Sequence, residues 1–232
     1  MEKRINKYLS ESGTYSRREA DRLIEQNKVT INGQFALMGS KVSLNDIIAV
    51  DGQVITPKHD FVYLAFNKPV GIVSTTDQSI QGNMIDYLNY PQRIFHVGRL
   101  DKDSEGLILM TNDGDIVNKI LRAENNHEKE YVVEVNKKIT LDFLTKMAQG
   151  VPILNTVTKP CTVKKRSEKS FHIILTEGLN RQIRRMCQAL GYQVISLKRI
   201  RIMHLHLDVP VGTYRELTNE ELSRLLNTIN AK

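Results

Sequence analysis

The sequence predicts an α+β protein of two domains: a small N-terminal unit, then a larger one with a mainly antiparallel mixed sheet flanked by helices. Three observations carry this. Helical and strand periodicities interleave unevenly, without the regular strand–helix–strand spacing of a parallel sheet. The first sixty residues form a helix-to-hairpin pattern of their own. A polar, proline-containing stretch, "TPKHD" at 56–60, then separates that pattern from the rest. The boundary is placed at residue 60, giving domains of 1–60 and 61–232.

In order along the chain, Ser16 with Glu19 makes a capping box, so a helix starts near Arg17. Ala20, Leu23 and Ile24 give it an apolar stripe, with Arg17, Arg18 and Arg22 largely on the other side. "VTINGQ" alternates and turns at Asn32-Gly33, and "DIIAVDGQVI" reads as a second alternating run. Beyond residue 60, "DFVYLAFNKPVGIVST", "GLILMTN", "KEYVVEV" and "SFHIILTEG" read as strands. "GDIVNKILRA", "TLDFLTKMAQG" and "LNRQIRRMCQALG" read as helices, the last two ending at Gly150 and Gly191. "YQVISLKRIRIMHLHL" gives one or two strands, and a capping box of Thr218 and Glu221 opens a last helix.

A formal charge of +7 and a pI near 9.3 favour a polyanionic partner. Eleven Lys/Arg against two Glu between Lys159 and Arg201 concentrate that charge in a stretch suited to phosphate contacts. The longest uncharged run is twelve residues, too short for a membrane span, and "MEKRINKYLS" lacks a signal peptide's apolar stretch. The expectation is a cytoplasmic protein with no membrane partner. Cys161 and Cys187 share no metal-ligand spacing and read as free thiols. His204 and His206 would share a strand face but have no third ligand nearby, so no metal site is expected.

"HVGRLDKDSEGLILMTNDGD", residues 96–115, sets Arg99, Asp101, Asp103 and Glu105 at alternate positions ahead of an apolar strand. A calcium loop would use Asp101, Asp103, Glu105 and Gly106, but Asn112 stands where a bidentate carboxylate is required. Two explanations then remain open on residue chemistry alone. The acids belong to a solvated loop, or one of them is catalytic, anchored by the strand and kept ionised by a nearby arginine.

Family resemblance chooses between them. "RINKYLSESGTYSRREADRLIEQNKVTING" resembles the S4 RNA-binding module, which implies that Arg4, Lys7, Arg17, Arg18 and Arg22 face folded RNA. "GRLDKDSEGLILMTNDGD" resembles the signature of the RsuA-like pseudouridine synthases. "FNKPVGIVST", "HEKEYVVEV" and "EGLNRQIRRMCQALGY" match further blocks of that family in order, and "NKILRAENNHEKEY" and "GVPILNTVTK" look most like its RluF branch.

The resemblance implies an isomerase that detaches uracil at N1, rotates it and rejoins it through C5, with no cofactor. Asp101 would start the cleavage, Tyr131 pack on the uracil, and Arg184 keep Asp101 ionised and oriented. Arg99 would contact RNA beside the extruded nucleotide, and Arg181 and Arg185 would meet RNA or water. Lys68 would act at a strand end or directly. The implied partner is 23S ribosomal RNA, with a structured tRNA as a further candidate, and the expected state is a monomer. A methyltransferase on an S4 scaffold would need a glycine-rich cofactor loop, and none of the thirteen glycines forms a G-x-G cluster.

Overall fold

In a computed structural model, which describes residues 2–43, 45–56, 60–122 and 126–231, the chain opens with β1 (Lys3–Arg4) and α1 (Ile5–Glu11). Helix α2 (Arg17–Glu25) begins where its capping box directs: Glu19 N donates to Ser16 Oγ at 3.0 Å, and Ser16 N donates to Glu19 Oε2 at 3.3 Å. Two hairpins follow. Strands β2 (Val29–Ile31) and β3 (Gln34–Phe35) turn at Asn32-Gly33, both at positive φ (51° and 83°), the geometry that matches strand twist. After β4 (Lys41–Val42), β5 (Ile48–Val50) and β6 (Gln53–Val54) turn in the same way at Asp51-Gly52, so the run expected as one strand is a hairpin.

Contacts group Met1–Val62 with Tyr90–Ile94 and Asn112–Gly114 as one compact unit. Its core joins Ile5, Leu9, Ala20 and Ile24 from the helices to Val29, Ile48 and Val50 from the four-stranded sheet β3-β2-β5-β6. The stretch 57–59, expected to be a linker, lies outside the described residues.

The second unit is built on a nine-stranded sheet. In chain order it holds β7 (Tyr63–Lys68), α3 (Met84–Leu88), β8 (Phe95–Val97), β9 (Glu105–Thr111), α4 (Gly114–Leu121) and β10 (Lys129–Val135). Next come α5 (Leu141–Gln149), β11 (Pro152–Ile153), β12 (Thr156–Val157), β13 (Thr162–Lys165) and β14 (Ser170–Leu175). The unit closes with α6 (Gln182–Ala189), β15 (Val194–Ile202), β16 (Leu205–His206), β17 (Tyr214–Glu216) and α7 (Asn219–Asn230). The strand order is β13-β14-β10-β15-β9-β7-β17, with β16 on β15 and β8 on β9. Among the described pairs of this sheet, only β15 with β9 is parallel.

Two apolar cores fix the sheet. Phe143, Met147, Ile183 and Met186 of α5 and α6 pack with Val133, Phe171 and Ile173. Ile116, Ile120, Leu225 and Ile229 of α4 and α7 pack with Ala65, Leu107 and Leu109. Each of these side chains larger than alanine contributes roughly 1.5–3 kcal/mol on burial. The middle strands β10, β15 and β9 run between these cores, and the segment with Asp101 leads directly into β9.

Candidate active site

The segment before β9 is held residue by residue. Ser74 Oγ donates to Leu100 O at 2.7 Å and accepts from Leu100 N at 3.2 Å. Gly71 N donates to Lys102 O at 2.7 Å, and Ser104 N closes a turn on Asp101 O at 3.0 Å. Lys68, fully buried at the end of β7, donates from Nζ to Pro69 O at 2.8 Å and Ser104 O at 2.9 Å. Burial pulls the Lys68 ammonium down to about 8, against the opposing pull of Asp101, Asp103 and Glu105. These bonds tie the end of β7 to the backbone of the turn that follows Asp101.

Gly106 explains why this segment can meet the middle of the sheet. Its φ is +112°, and a Cβ there would lie 2.2 Å from Arg199 O and 2.6 Å from Arg199 N. Only glycine lets β9 and β15 approach so closely.

From the other side come the arginines of the 181–185 segment. The sequence expectation paired Arg184 with Asp101; the structure corrects this. Arg184 donates from Nη2 to Asp103 O at 2.7 Å and to Ser104 Oγ at 3.1 Å, with Nε 3.4 Å from Asp103 Oδ2. The ion pair of Asp101 is with Arg181, whose Nη1 lies 3.6 Å from Oδ2. Arg181 also holds Asp103 in a two-point bond at 3.2 and 2.9 Å. That bond holds the Asp103 carboxyl below its ordinary range.

The physical reason for the change is where the helix starts. α6 begins at Gln182, which leaves Arg181 ahead of the first turn at φ 50°. A non-glycine residue held in the left-handed region is a strained feature of the kind that gathers at functional sites. Gln182 anchors it, accepting from Leu179 N at 3.0 Å and donating to Glu177 Oε1 at 2.7 Å. Ile183 and Met186 are buried as expected, while Arg185 turns back onto Asn180 at 3.0 and 3.2 Å.

These elements surround a cavity of about 650 Å³ whose lining includes Arg99, Asp101, Lys129, Tyr131, Arg181 and Arg199. Val97, Leu100, Leu109, Ile120 and Ile202 supply apolar wall. A smaller hollow of about 120 Å³ shares Asp101, Tyr131 and Arg181. The Asp101 side chain is 32% exposed and lines the cavity. Arg99 is exposed and makes no ion pair among the described residues.

Arg199 and Lys129 were not singled out by sequence reasoning. Strict alternation along "KRIRI" would put Arg199 and Ile202 on opposite faces. The β10–β15 ladder pairs Glu130 with Arg201 and Tyr131 with Arg199, so Ile200 is bulged out. The bulge brings Arg199 and Ile202 to the same cavity.

In the first unit, Arg4, Arg17, Arg18 and Arg22 are exposed, the last three along α2. Lys7 is half-buried and 3.9 Å from Glu11. Among the described residues no cluster of His, Cys, Asp and Glu could hold a metal. His204 instead sits 3.0 Å from Glu221 O. No helix among them is long and apolar enough to cross a membrane.

A carboxylate on a firmly held segment, an adjacent guanidinium and an aromatic ring line one cavity, an arrangement suited to a planar ligand beside an acidic group. The family model described as RNA pseudouridylate synthase matches residues 62–189, and that of the S4 domain matches residues 3–48. The chain belongs to the RNA pseudouridylate synthase family, and is an isomerase with an S4 RNA-binding domain in front.

Within that family it is 56% identical to the dual-specificity RNA pseudouridine synthase RluF of Salmonella typhi over 229 residues, 97% of this chain and 79% of that one. It is 35% identical to ribosomal large subunit pseudouridine synthase B of Bacillus subtilis, covering 96% and 95% of the two chains. A crystal structure of a pseudouridylate synthase matches with a TM-score of 0.71 at 29% identity, covering 96% of this chain and 99% of that one.

Proposed function

We propose that this enzyme converts a uridine of 23S ribosomal RNA to pseudouridine in the cytoplasm, as a monomer and without a cofactor. A structured tRNA is its second substrate, in keeping with the dual specificity in the name of its RluF relative. Asp101 opens the C1′–N1 bond, by attack on the sugar or by taking a proton from it. The base turns, C5 bonds to C1′ as Asp101 leaves that carbon or returns the sugar proton, C5 sheds its own proton to water, and N1 takes one up. Bonds move within one nucleotide, so no redox partner or group donor is consumed.

Tyr131 stacks on the extruded uracil. Arg99 fills the space the base leaves and meets a phosphate there. Arg181 pairs with Asp101 and orients it, while Arg184 and Lys68 fix the backbone that carries it. Arg185 contacts RNA at the rim, and Arg4, Lys7, Arg17, Arg18 and Arg22 give the S4 domain its phosphate-binding face.

The observation that carries this reading is that Asp101, Tyr131 and Arg181 line the same cavity. The test is incubation of the protein with unmodified 23S rRNA transcribed with uridine tritiated at C5. Tritium release and a pseudouridine at one position are expected, matched by loss of that modification in cells without the gene. No release from rRNA or tRNA would overturn the reading.

A further inference from the structure

Arg199 is 3% exposed, yet its guanidinium is only partly used. Nε donates to Leu107 O at 2.6 Å, whereas Nη2 is buried without a hydrogen-bond partner among the described residues. An unmet charged donor of this kind is costly unless something accepts from it. Lys129 lies beside it on the same cavity: burial first, and then the Arg199 charge, lower the Lys129 ammonium from its ordinary range. Neither cation has a carboxylate within ion-pair distance among the described residues. Lys129 has a weak bond to His127 O at 3.4 Å.

Both sit next to the ring assigned to the base. Tyr131 pairs directly with Arg199 across the ladder, and Lys129 is two residues before Tyr131 on the same strand face. A planar base lying on Tyr131 would present its edge to these two cations. The cationic pair therefore faces an anion that enters the cavity with the substrate. A backbone phosphate fits poorly against Val97, Leu109, Ile120 and Ile202, because burying its charge among apolar groups is expensive. The base fits.

We propose that Arg199, with Lys129, donates to the carbonyl oxygens of the target uracil and stabilises the anion formed when the base leaves the ribose. The inference rests on the assignment of Asp101 and Tyr131 above. When C1′–N1 breaks, the electron pair stays on N1 and spreads to O2 and O4. Asp101 meets the sugar's deficit by bonding to C1′ or by removing a sugar proton. The pair is used again when C5 bonds to C1′, as the Asp101–C1′ bond breaks or Asp101 gives the proton back to the sugar. Donors fixed in place beforehand act on charge that exists only after bond breaking, so they accelerate the reaction without tightening RNA binding.

The test is single-turnover kinetics with full-length protein and 23S rRNA, for Arg199→Gln, Arg199→Lys and Lys129→Met. Arg199→Gln should slow pseudouridine formation about 100-fold and Lys129→Met about 10-fold, with RNA Kd within about twofold of wild type. Arg199→Lys, which keeps a cation, should fall between wild type and Arg199→Gln.

A second substrate separates charge stabilisation from a structural role. With 5-fluorouridine at the target, the base anion is intrinsically more stable, so the deficit in C1′–N1 cleavage should shrink at least severalfold. Equal deficits on both substrates overturn the proposal, as does weaker RNA binding with an unchanged saturated rate, which marks a phosphate contact. Wild-type turnover with unaffected variants removes this inference alone, whereas an inactive wild type removes the reading beneath it.

Discussion

Between Leu100 and Ser104 the backbone is gripped from three sides, by Ser74, Lys68 and Arg184. Along α2, Arg17 and Arg18 have no ion-pair partner among the described residues, and Arg22 makes only a 3.5 Å contact to Arg18 O. Both regions looked alike as sequence: short runs dense in charge. One is a backbone segment fixed by side chains from other elements; the other presents its arginines outward. Catalysis needs a carboxylate held to within a fraction of an ångström. Phosphate binding tolerates mobile cations on an exposed face.

The largest effect that can break this contrast comes from Gly106→Ala. With backbone atoms of Arg199 2.2 and 2.6 Å from the new Cβ and φ at +112°, the fold should lose about 3 kcal/mol or more, read as a fall in the urea midpoint. A shift under about 1 kcal/mol would mean the strands can part freely. Next in size is Arg184→Gln, which releases Asp103 O and Ser104 Oγ. It should cost about 1–2 kcal/mol and lower kcat roughly tenfold or more with KM little changed. A change in KM alone would place Arg184 on the RNA instead.

Lys68 sharpens the same side of the comparison through pH. Its ammonium is lowered to about 8 in the fold, from an ordinary 10.5. Between those values the unfolded chain binds the proton that the folded chain gives up, so stability rises with pH across this window. Measured against Lys68→Met, the wild type should gain about 1–3 kcal/mol from pH 8 to 10.5, and a flat difference would deny the lysine its buried state. The smallest effects belong to the open face. Arg17→Ala and Arg18→Ala should each leave stability within about 0.5 kcal/mol while reducing the slope of log RNA affinity against log salt by about 1.

What the sequence made legible follows the reach of each interaction. The capping boxes at Ser16 and Thr218 are formed as expected, because three-residue spacing contains the whole motif. The Asp51-Gly52 turn is equally local, but the alternation on both sides of it reads as one continuous strand. Arg181 and not Arg184 lies beside Asp101, because helical spacing says nothing about where the first turn begins, and α6 starts one residue after Arg181. Gly106 depends on β15, more than ninety residues away, and the bulge at Ile200 on β10, about seventy residues away, contacts no local pattern encodes. Arg199 and Lys129 stayed hidden for the same reason, although "KEY" placed one of them two residues before Tyr131.

The central claim is that the carboxylate at position 101, and not its neighbour at 103, does chemistry on the nucleotide. Tritium release from C5-labelled 23S rRNA should be measured for Asp101→Asn and Asp103→Asn under single turnover, with RNA affinity and the thermal midpoint alongside. The account predicts at least about a 1,000-fold loss for Asp101→Asn at unchanged affinity and midpoint, and a smaller loss with lowered stability for Asp103→Asn. Release by Asp101→Asn within tenfold of wild type would contradict it.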